Sequence, residues 1–496
     1  MIPHCSPKDM SGQNSAVAAE NLAEGDAVTG LRSQVSAADV DRQSANSAKL
    51  FSLASMFSLD PDRVRRKVIP WAMKGGLAIL DQGVFSGSNF VISILLARWM
   101  SPQQYGTYAV AFAVFLFLLN FHQALVLEPM LVFGSSVYRD SLRPYLKSLL
   151  LIHLGISLVM AFGLSVAAVI TFRMRDTDGM PLALVGIALA APCILLFWLT
   201  KRIFYLKLTP GPSVAGALLY CVLTLGGLAL IYQRGVLSTF SALLLMGFGA
   251  LGSSTALIGY FALHLPDTQR PVKTLEAWRR HWHYGRWALG ANAMMWIPIN
   301  LFYPLVSRFS GLAQAGELKA LMNFASPMLQ ACAALHSLML PYAARVIRER
   351  GTSGVNVILK RMTFLCAGCA LPYWIVLLMF QRPAFHMLYS GHYTEVSYLL
   401  PVVALASIAG SAFFGPSIVL RALQTPRLVF VAVSFSSCIA VGLGVPLTRA
   451  FGVSGAVWSI VASETLAFVA AVVLVQRKAR KTGTAPSSFL PVPAEE

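Results

Sequence analysis

The chain has 496 residues, of which 56% are hydrophobic and only 12% charged. Soluble domains carry about a quarter charged residues, so this composition excludes an ordinary water-soluble enzyme and asks for lipid as solvent. The 39 Lys and Arg against 21 Asp and Glu leave a net charge of +18, which fits either a nucleic-acid partner or the basic loops of a membrane protein.

Residues 1–60 are rich in Ser, Ala, Asn, Gln and Asp and hold no aromatic before Phe51. This pattern predicts a disordered N-terminal tail. It lacks the basic start and immediate apolar stretch of a signal peptide; a translation start near Met56 or Met73 is the alternative reading. Arg63, Arg65, Arg66, Lys67 and Lys74 then precede the first long apolar run. From Gly75 onward, runs long enough to cross a hydrocarbon core of about 30 Å recur. They fall near 75–97, 107–134, 146–171, 180–200, 212–233, 236–264, 287–307, 317–344, 358–380, 395–414, 426–447 and 451–475. The fold class expected is therefore an all-α polytopic membrane protein with about 12 transmembrane helices. Pro298 and Pro304 interrupt the seventh run, and Pro327 and Pro341 the eighth; such prolines are tolerated where neighbours satisfy the freed carbonyls. A β-barrel is excluded, because its strands alternate over about ten residues.

The loop charges test this count. Starting from a cytoplasmic N-terminus, those five residues before the first run, the alternate loops and the C-terminal end together receive 27 Lys and Arg, and the opposite side receives 8. Such sorting supports N- and C-termini on the cytoplasmic side, and the net charge then needs no nucleic acid. The longest connector, 265–286, is basic and aromatic through Trp278, Arg279, Arg280, His281, Trp282 and His283. It reads as a cytoplasmic interfacial linker between a six-helix bundle over 61–264 and another over 287–475, with a cytoplasmic tail over 476–496. An internal echo accompanies the division. Arg98 ends the first span and Gly106 follows eight residues later; Arg308 ends the seventh and Gly316 follows eight residues later. Two halves with matching signatures fit repeats about an axis along the membrane normal.

Several chemistries are missing. The spacing Cys366-x-x-Cys369 sits in an apolar run without neighbouring ligands and reads as packing. No phosphate-binding Gly-x-x-x-x-Gly-Lys-Ser/Thr loop, no His-Glu-x-x-His and no Gly-x-Ser-x-Gly occurs, so no ATPase, zincin or esterase site is expected. His122, His153, His264 and His336 read as single, scattered helix-contact residues. Trp and Tyr near span ends, such as Trp71, Trp99, Tyr105 and Trp287, read as an interface belt.

Charges inside or at the margins of spans are costly and therefore informative. Asp81, Glu128 and Glu464 are the intramembrane carboxylates. Each reads either as a coupling site for H⁺ or Na⁺ or as one side of an ion pair or helix cap. Arg98 and Arg308 close the first and seventh spans, and read either as headgroup anchors or as a cationic rim for a phosphate. Glu317 and Lys319 open the eighth span and Arg421 follows the tenth. Asn89, Asn120, Gln123, Asn292, Asn300, Asn323 and Gln330 add polar groups that must face something other than lipid.

The stretch 95–109, with Ala97, Arg98, Pro102, Tyr105 and Gly106, resembles the first connection of bacterial Wzx-like polysaccharide flippases. These belong to the multidrug/oligosaccharidyl-lipid/polysaccharide exporter superfamily. Leu127-Glu128-Pro129-Met130, the stretch 318–327 with Leu340–Arg345 after it, and Phe451–Trp458 are similar to further helix boundaries of that family. The resemblance runs over roughly 70–480. It implies an inverted V of two six-helix bundles working by alternating access, a transporter and not an enzyme. The implied cargo is an undecaprenyl-diphosphate-linked oligosaccharide for lipopolysaccharide O-antigen or exopolysaccharide biosynthesis, crossing the bacterial inner membrane. Arg98, Arg308, Lys319 and Arg421 are then the candidates for the diphosphate-sugar. Membrane lipids, a polysaccharide polymerase and glycosyltransferases are the implied partners; no cofactor is implied beyond a coupling ion. The alternatives are a cation-coupled multidrug exporter and a membrane polymerase or glycosyltransferase.

Overall fold

The computed structural model describes residues 69–174, 179–207, 209–264 and 271–483. The tail expected over 1–60, the first part of the 265–286 linker and the end of the 476–496 tail lie outside these residues. The described residues from Lys74 onward form one compact unit. Among the described residues every regular element is a helix. They are α1 (Ile69–Trp99), α2 (Pro102–Ser135), α3 (Leu142–Arg173), α4 (Met180–Leu206), α5 (Gly211–Gln233) and α6 (Thr239–His264). There follow α7 (Thr274–Asn300), α8 (Phe302–Ser310), α9 (Leu312–Met379), α10 (Gln381–Tyr389), α11 (Leu400–Ala422) and α12 (Pro426–Gly483).

Nine of these are long and apolar enough to cross a membrane, and the α7/α8 pair, bent by 45°, makes a tenth. α12 breaks at Gly452, which takes φ 56°, and α9 breaks at Gly351 with φ 56°; a side chain at either position would be strained. With each break counted, twelve long helical segments stand where twelve spans are expected. The first arm of α9 carries Glu317, Lys319 and Asn323 within its first turns. Lipid is the natural cover for the outer faces: α3 leaves Leu158, Val159, Phe162 and Val169 largely exposed, a row too long and apolar for water.

Local chemistry explains the elements that matter for the interior. Ser101 caps α2 by accepting from the Gln104 amide at 3.3 Å, with Pro102 in the first turn, an arrangement that satisfies an orphan donor and pre-sets φ. Within α2, residues Gln123–Leu127 form a π-turn just before Glu128 and Pro129, so a register slip accommodates a proline that cannot donate. In α7, Pro298 cannot bond the carbonyl of Met294. Ser437 of α12 supplies that bond instead, its Oγ donating to the Met294 oxygen at 2.6 Å. The basic segment from Thr274 is not separate from the seventh span but is its helical beginning.

Candidate functional site

The buried polar groups fall into separate constellations. In the first, Asp81 of α1 is only 2% exposed, and its Oδ1 lies 2.9 Å from the Nζ of Lys201 in α4. Its Oδ2 accepts from Tyr205 Oη at 2.6 Å and from Ser213 Oγ at 3.0 Å. The ammonium of Lys201 also stands over the Phe85 ring at 4.5 Å and the Phe197 ring at 5.4 Å. Both charges are thus neutralised and both oxygens partnered, the condition for keeping ions in a dry interior. The structure gives Asp81 the ion-pair arrangement.

A second constellation joins α1, α2, α9 and α10. Asn323 Nδ2 donates to Tyr105 Oη at 2.9 Å, and Ser93 Oγ donates to Asn323 Oδ1 at 3.1 Å. The remaining contact, 2.9 Å between Tyr105 Oη and Ser93 Oγ, then has the tyrosine as donor, since the serine hydrogen is already used. The three groups form a closed hydrogen-bond ring, buried throughout, whose members polarise one another. Tyr389 extends it, accepting from Asn323 at 3.4 Å and donating to the Ala320 carbonyl at 2.9 Å. Beside the ring, α2 and α9 meet at Gly106 and Gly316. A Cβ on Gly106 would collide with the Leu312 carbonyl, and one on Gly316 would lie 2.7 Å from the Pro102 oxygen. The two glycines of the internal echo touch, and the two helix starts are closed upon each other.

One turn along α9 from Gly316 sits Lys319. It is half-buried, with its Nζ 5.5 Å from the Phe112 ring and 5.8 Å from the Tyr303 ring. Among the described residues no carboxylate pairs with it. Aromatic faces stabilise a cation in part but leave its charge intact. The other predicted cations are placed apart. Arg308 and Arg421 are exposed near helix ends. Arg98 is exposed, donates to the Met387 carbonyl at 3.3 Å, and lines a cavity of about 450 Å³ with Leu95, Trp99, Tyr232 and Ser390. Trp99 and Tyr232 stack there with centroids 4.3 Å apart. Arg98 and Lys319 therefore occupy different places, the first exposed at the end of α1 and the second among α2, α8 and α9.

Of the other carboxylates, Glu128 accepts a long bond from Gln123 at 3.4 Å across the π-turn. Glu464 of α12 is half-buried and has neither ion pair nor hydrogen bond among the described residues. Its Oε2 would lie 3.3 Å from a Cβ built on Gly410 of α11, so the glycine gives the carboxyl its room. The π-turn itself is held from α7. The Leu125 carbonyl can only accept, so His281 Nδ1, 2.8 Å away, carries the proton. Its Nε2 then accepts from Tyr145 Oη, also at 2.8 Å, as a neutral imidazole must. His122 and His153 are not scattered but paired, Nε2 to Nδ1 at 3.0 Å, because α2 and α3 pack along this level. Cys366 is buried while Cys369 is exposed, so the two thiols face different surroundings. No group of three metal-ligating side chains occurs among the described residues.

A family model described as "Polysaccharide biosynthesis protein" matches residues 95–398. That is more than half of the chain. The chain belongs to the polysaccharide biosynthesis protein family. Among curated proteins none matches the sequence. Solved structures give the fold. An inward-facing multidrug resistance MATE transporter of the MOP superfamily superposes with a TM-score of 0.70 at 11% identity, covering 82% of this chain and 96% of that one. The lipid II flippase MurJ in an inward closed conformation gives 0.64 at 12% identity, covering 82% and 87%. An outward-facing MATE transporter gives 0.61 at 10% identity, covering 83% and 96%. This member of the polysaccharide biosynthesis family is thus a multi-pass membrane protein with the fold of MOP-superfamily transporters.

Two features of this polysaccharide biosynthesis protein escape a sequence reading. Lys201 falls just beyond the predicted edge of the fourth span and counts there as a loop charge, whereas the helix runs on to Leu206 and carries it inside. The rule that a buried charge needs a partner is the signal that could have tied it to Asp81. The ring of Ser93, Tyr105 and Asn323 has no linear signature; only Asn323, a polar side chain in a span, marks it.

Proposed function

We propose that this protein translocates a lipid-linked oligosaccharide carrying a diphosphate, of the undecaprenyl type, from the cytoplasmic to the periplasmic leaflet of a bacterial inner membrane. One observation carries the reading: among the described residues no carboxylate pairs with Lys319, which stands one turn below a closed helix contact among α2, α8 and α9. A cation kept unpaired in such a place repels cationic cargo and attracts a phosphate, whose charge replaces the missing carboxylate. Loop charge assigns the closed end to the periplasmic side, so the cargo meets Lys319 from the cytoplasm. Parting of α2 from α9, with loss of the Tyr105–Ser93–Asn323 ring, then exposes the site to the other leaflet, a shift between two populated states. The prenyl tail stays in lipid throughout. Glu464 is the coupling carboxylate of this reading, exchanging H⁺ or Na⁺ as the states alternate. Family membership and the transporter fold support the reading. No covalent chemistry is involved.

The test is flipping of a fluorescent polyprenyl-diphosphate disaccharide in proteoliposomes. Lys319→Gln is expected to lower the rate about tenfold, the order of one lost charge-assisted contact to phosphate. If the wild-type protein fails to flip it but extrudes a lipophilic cation, the multidrug-exporter alternative replaces this one.

A further inference from the structure

Away from the closure, α3, α4 and α6 enclose a narrow slot of about 220 Å³. Its wall is almost wholly apolar: Leu146 and Leu149 from α3, Leu199, Ile203 and Phe204 from α4, and Leu257 from α6 are all buried. The mouth is cationic. Arg143 and Lys147, one turn apart on α3, line it. Lys207, at the end of α4, joins them, its Nζ 5.5 Å from the ring of Phe261, another wall residue. An apolar slot with three cations at its opening is complementary to an amphiphile with one chain inside and an anionic head outside.

The size decides which amphiphile. Pockets for drug-sized ligands run from roughly 300 to 1,000 Å³, so this slot of about 220 Å³ is too small for an oligosaccharide or a whole lipid, and its apolar wall suits part of one hydrocarbon chain. Its position decides further. Every lining residue comes from α3, α4 or α6, and none from α2, α8 or α9, where Lys319 stands. Cargo moving past Lys319 does not pass through it. The three cations also belong to the side of the chain with the positive surplus, the side on which basic pockets between helices meet anionic headgroups.

We infer that the slot is a binding site for an anionic phospholipid of the surrounding bilayer, with part of one acyl chain between α3, α4 and α6 and its phosphate at Arg143, Lys147 and Lys207. The site is separate from the cargo path and stands whether or not the cargo is a lipid-linked oligosaccharide. It would make the protein's stability depend on the lipid composition of its membrane, because a ligand that binds only the folded state stabilises it.

Native mass spectrometry of the full-length protein in detergent tests this with phosphatidylglycerol, phosphatidylcholine and polyprenyl phosphate as probes. The wild type is expected to retain phosphatidylglycerol about tenfold over phosphatidylcholine, as several basic contacts to one headgroup allow. The triple variant Arg143→Gln, Lys147→Gln, Lys207→Gln should lose that preference. The control triple Arg348→Gln, Arg350→Gln, Lys360→Gln, on exposed positions elsewhere, should keep it. A fourth variant, Ala262→Trp at the exposed rim, fills the slot and should lower retention of both phospholipids while the cations remain. Added phosphatidylglycerol should raise the unfolding temperature of the wild type and not of the first triple. An unchanged preference in that triple overturns the inference, as does its loss in the control triple. Displacement of phosphatidylglycerol by equimolar polyprenyl phosphate would reassign the slot to the cargo lipid.

Discussion

Two lysines inside the helical bundle stand in similar aromatic surroundings and differ in one respect. Lys201 has Phe85 and Phe197 beside it and the Asp81 carboxylate at 2.9 Å; Lys319 has Phe112 and Tyr303 and, among the described residues, no carboxylate. The first arrangement is self-contained, since Tyr205 and Ser213 satisfy the other Asp81 oxygen. The second is complete only when an anion arrives. The same side chain thus serves as a fastener where its charge is cancelled and as a receptor where it is not, and the neighbour decides which.

The largest effect should come from breaking the fastener. Lys201→Met leaves Asp81 buried and uncompensated, which costs about 3–5 kcal/mol. Thermal unfolding in detergent should show this, and adding Asp81→Asn should recover most of it. Converting the receptor into a fastener is the sharper experiment. Phe112→Glu places a carboxylate within reach of Lys319 and should abolish flipping while the protein folds and melts normally. Lys319→Gln should slow flipping about tenfold with unfolding unchanged to within about 1 kcal/mol, because the lysine has no partner to strand. If Lys319→Gln melts as early as Lys201→Met, the two lysines are alike and the contrast fails. The carboxylates extend the comparison. Among the described residues Glu464 lacks the partner that Asp81 has, so Glu464→Gln should lower gradient-driven flux severalfold and leave downhill exchange intact; equal flux with and without a gradient would remove its coupling role. Smallest is Tyr105→Phe, which opens the hydrogen-bond ring at a cost of about 1 kcal/mol and should shift cysteine accessibility toward the open periplasmic end.

The membrane fold was legible because a span must be apolar for about twenty residues, a signal that needs no partner elsewhere in the chain. Span ends were less so. α7 begins at Thr274, thirteen residues before its apolar run, because Trp278, His281 and Gly285 pack on α2 and α3 rather than in lipid. The unpaired state of Lys319 was not legible at all, since it depends on what α2 and α8 bring near. Asp81 and Lys201 lie 120 positions apart, and only the packing of α1 on α4 makes them a pair. By contrast the Arg98/Gly106 and Arg308/Gly316 echo carried spatial information, because positions repeated about an axis meet when they lie close to it.

That meeting has a consequence for how the molecule moves. Gly106 and Gly316 are counterparts in the echo, and their contact is of the isologous kind found between identical subunits, here realised within one polypeptide. Bare backbone has no rotamer to swing aside. Two main chains in such contact separate only by displacement of whole helices, so the junction behaves as a latch that is either shut or released, without side-chain states in between.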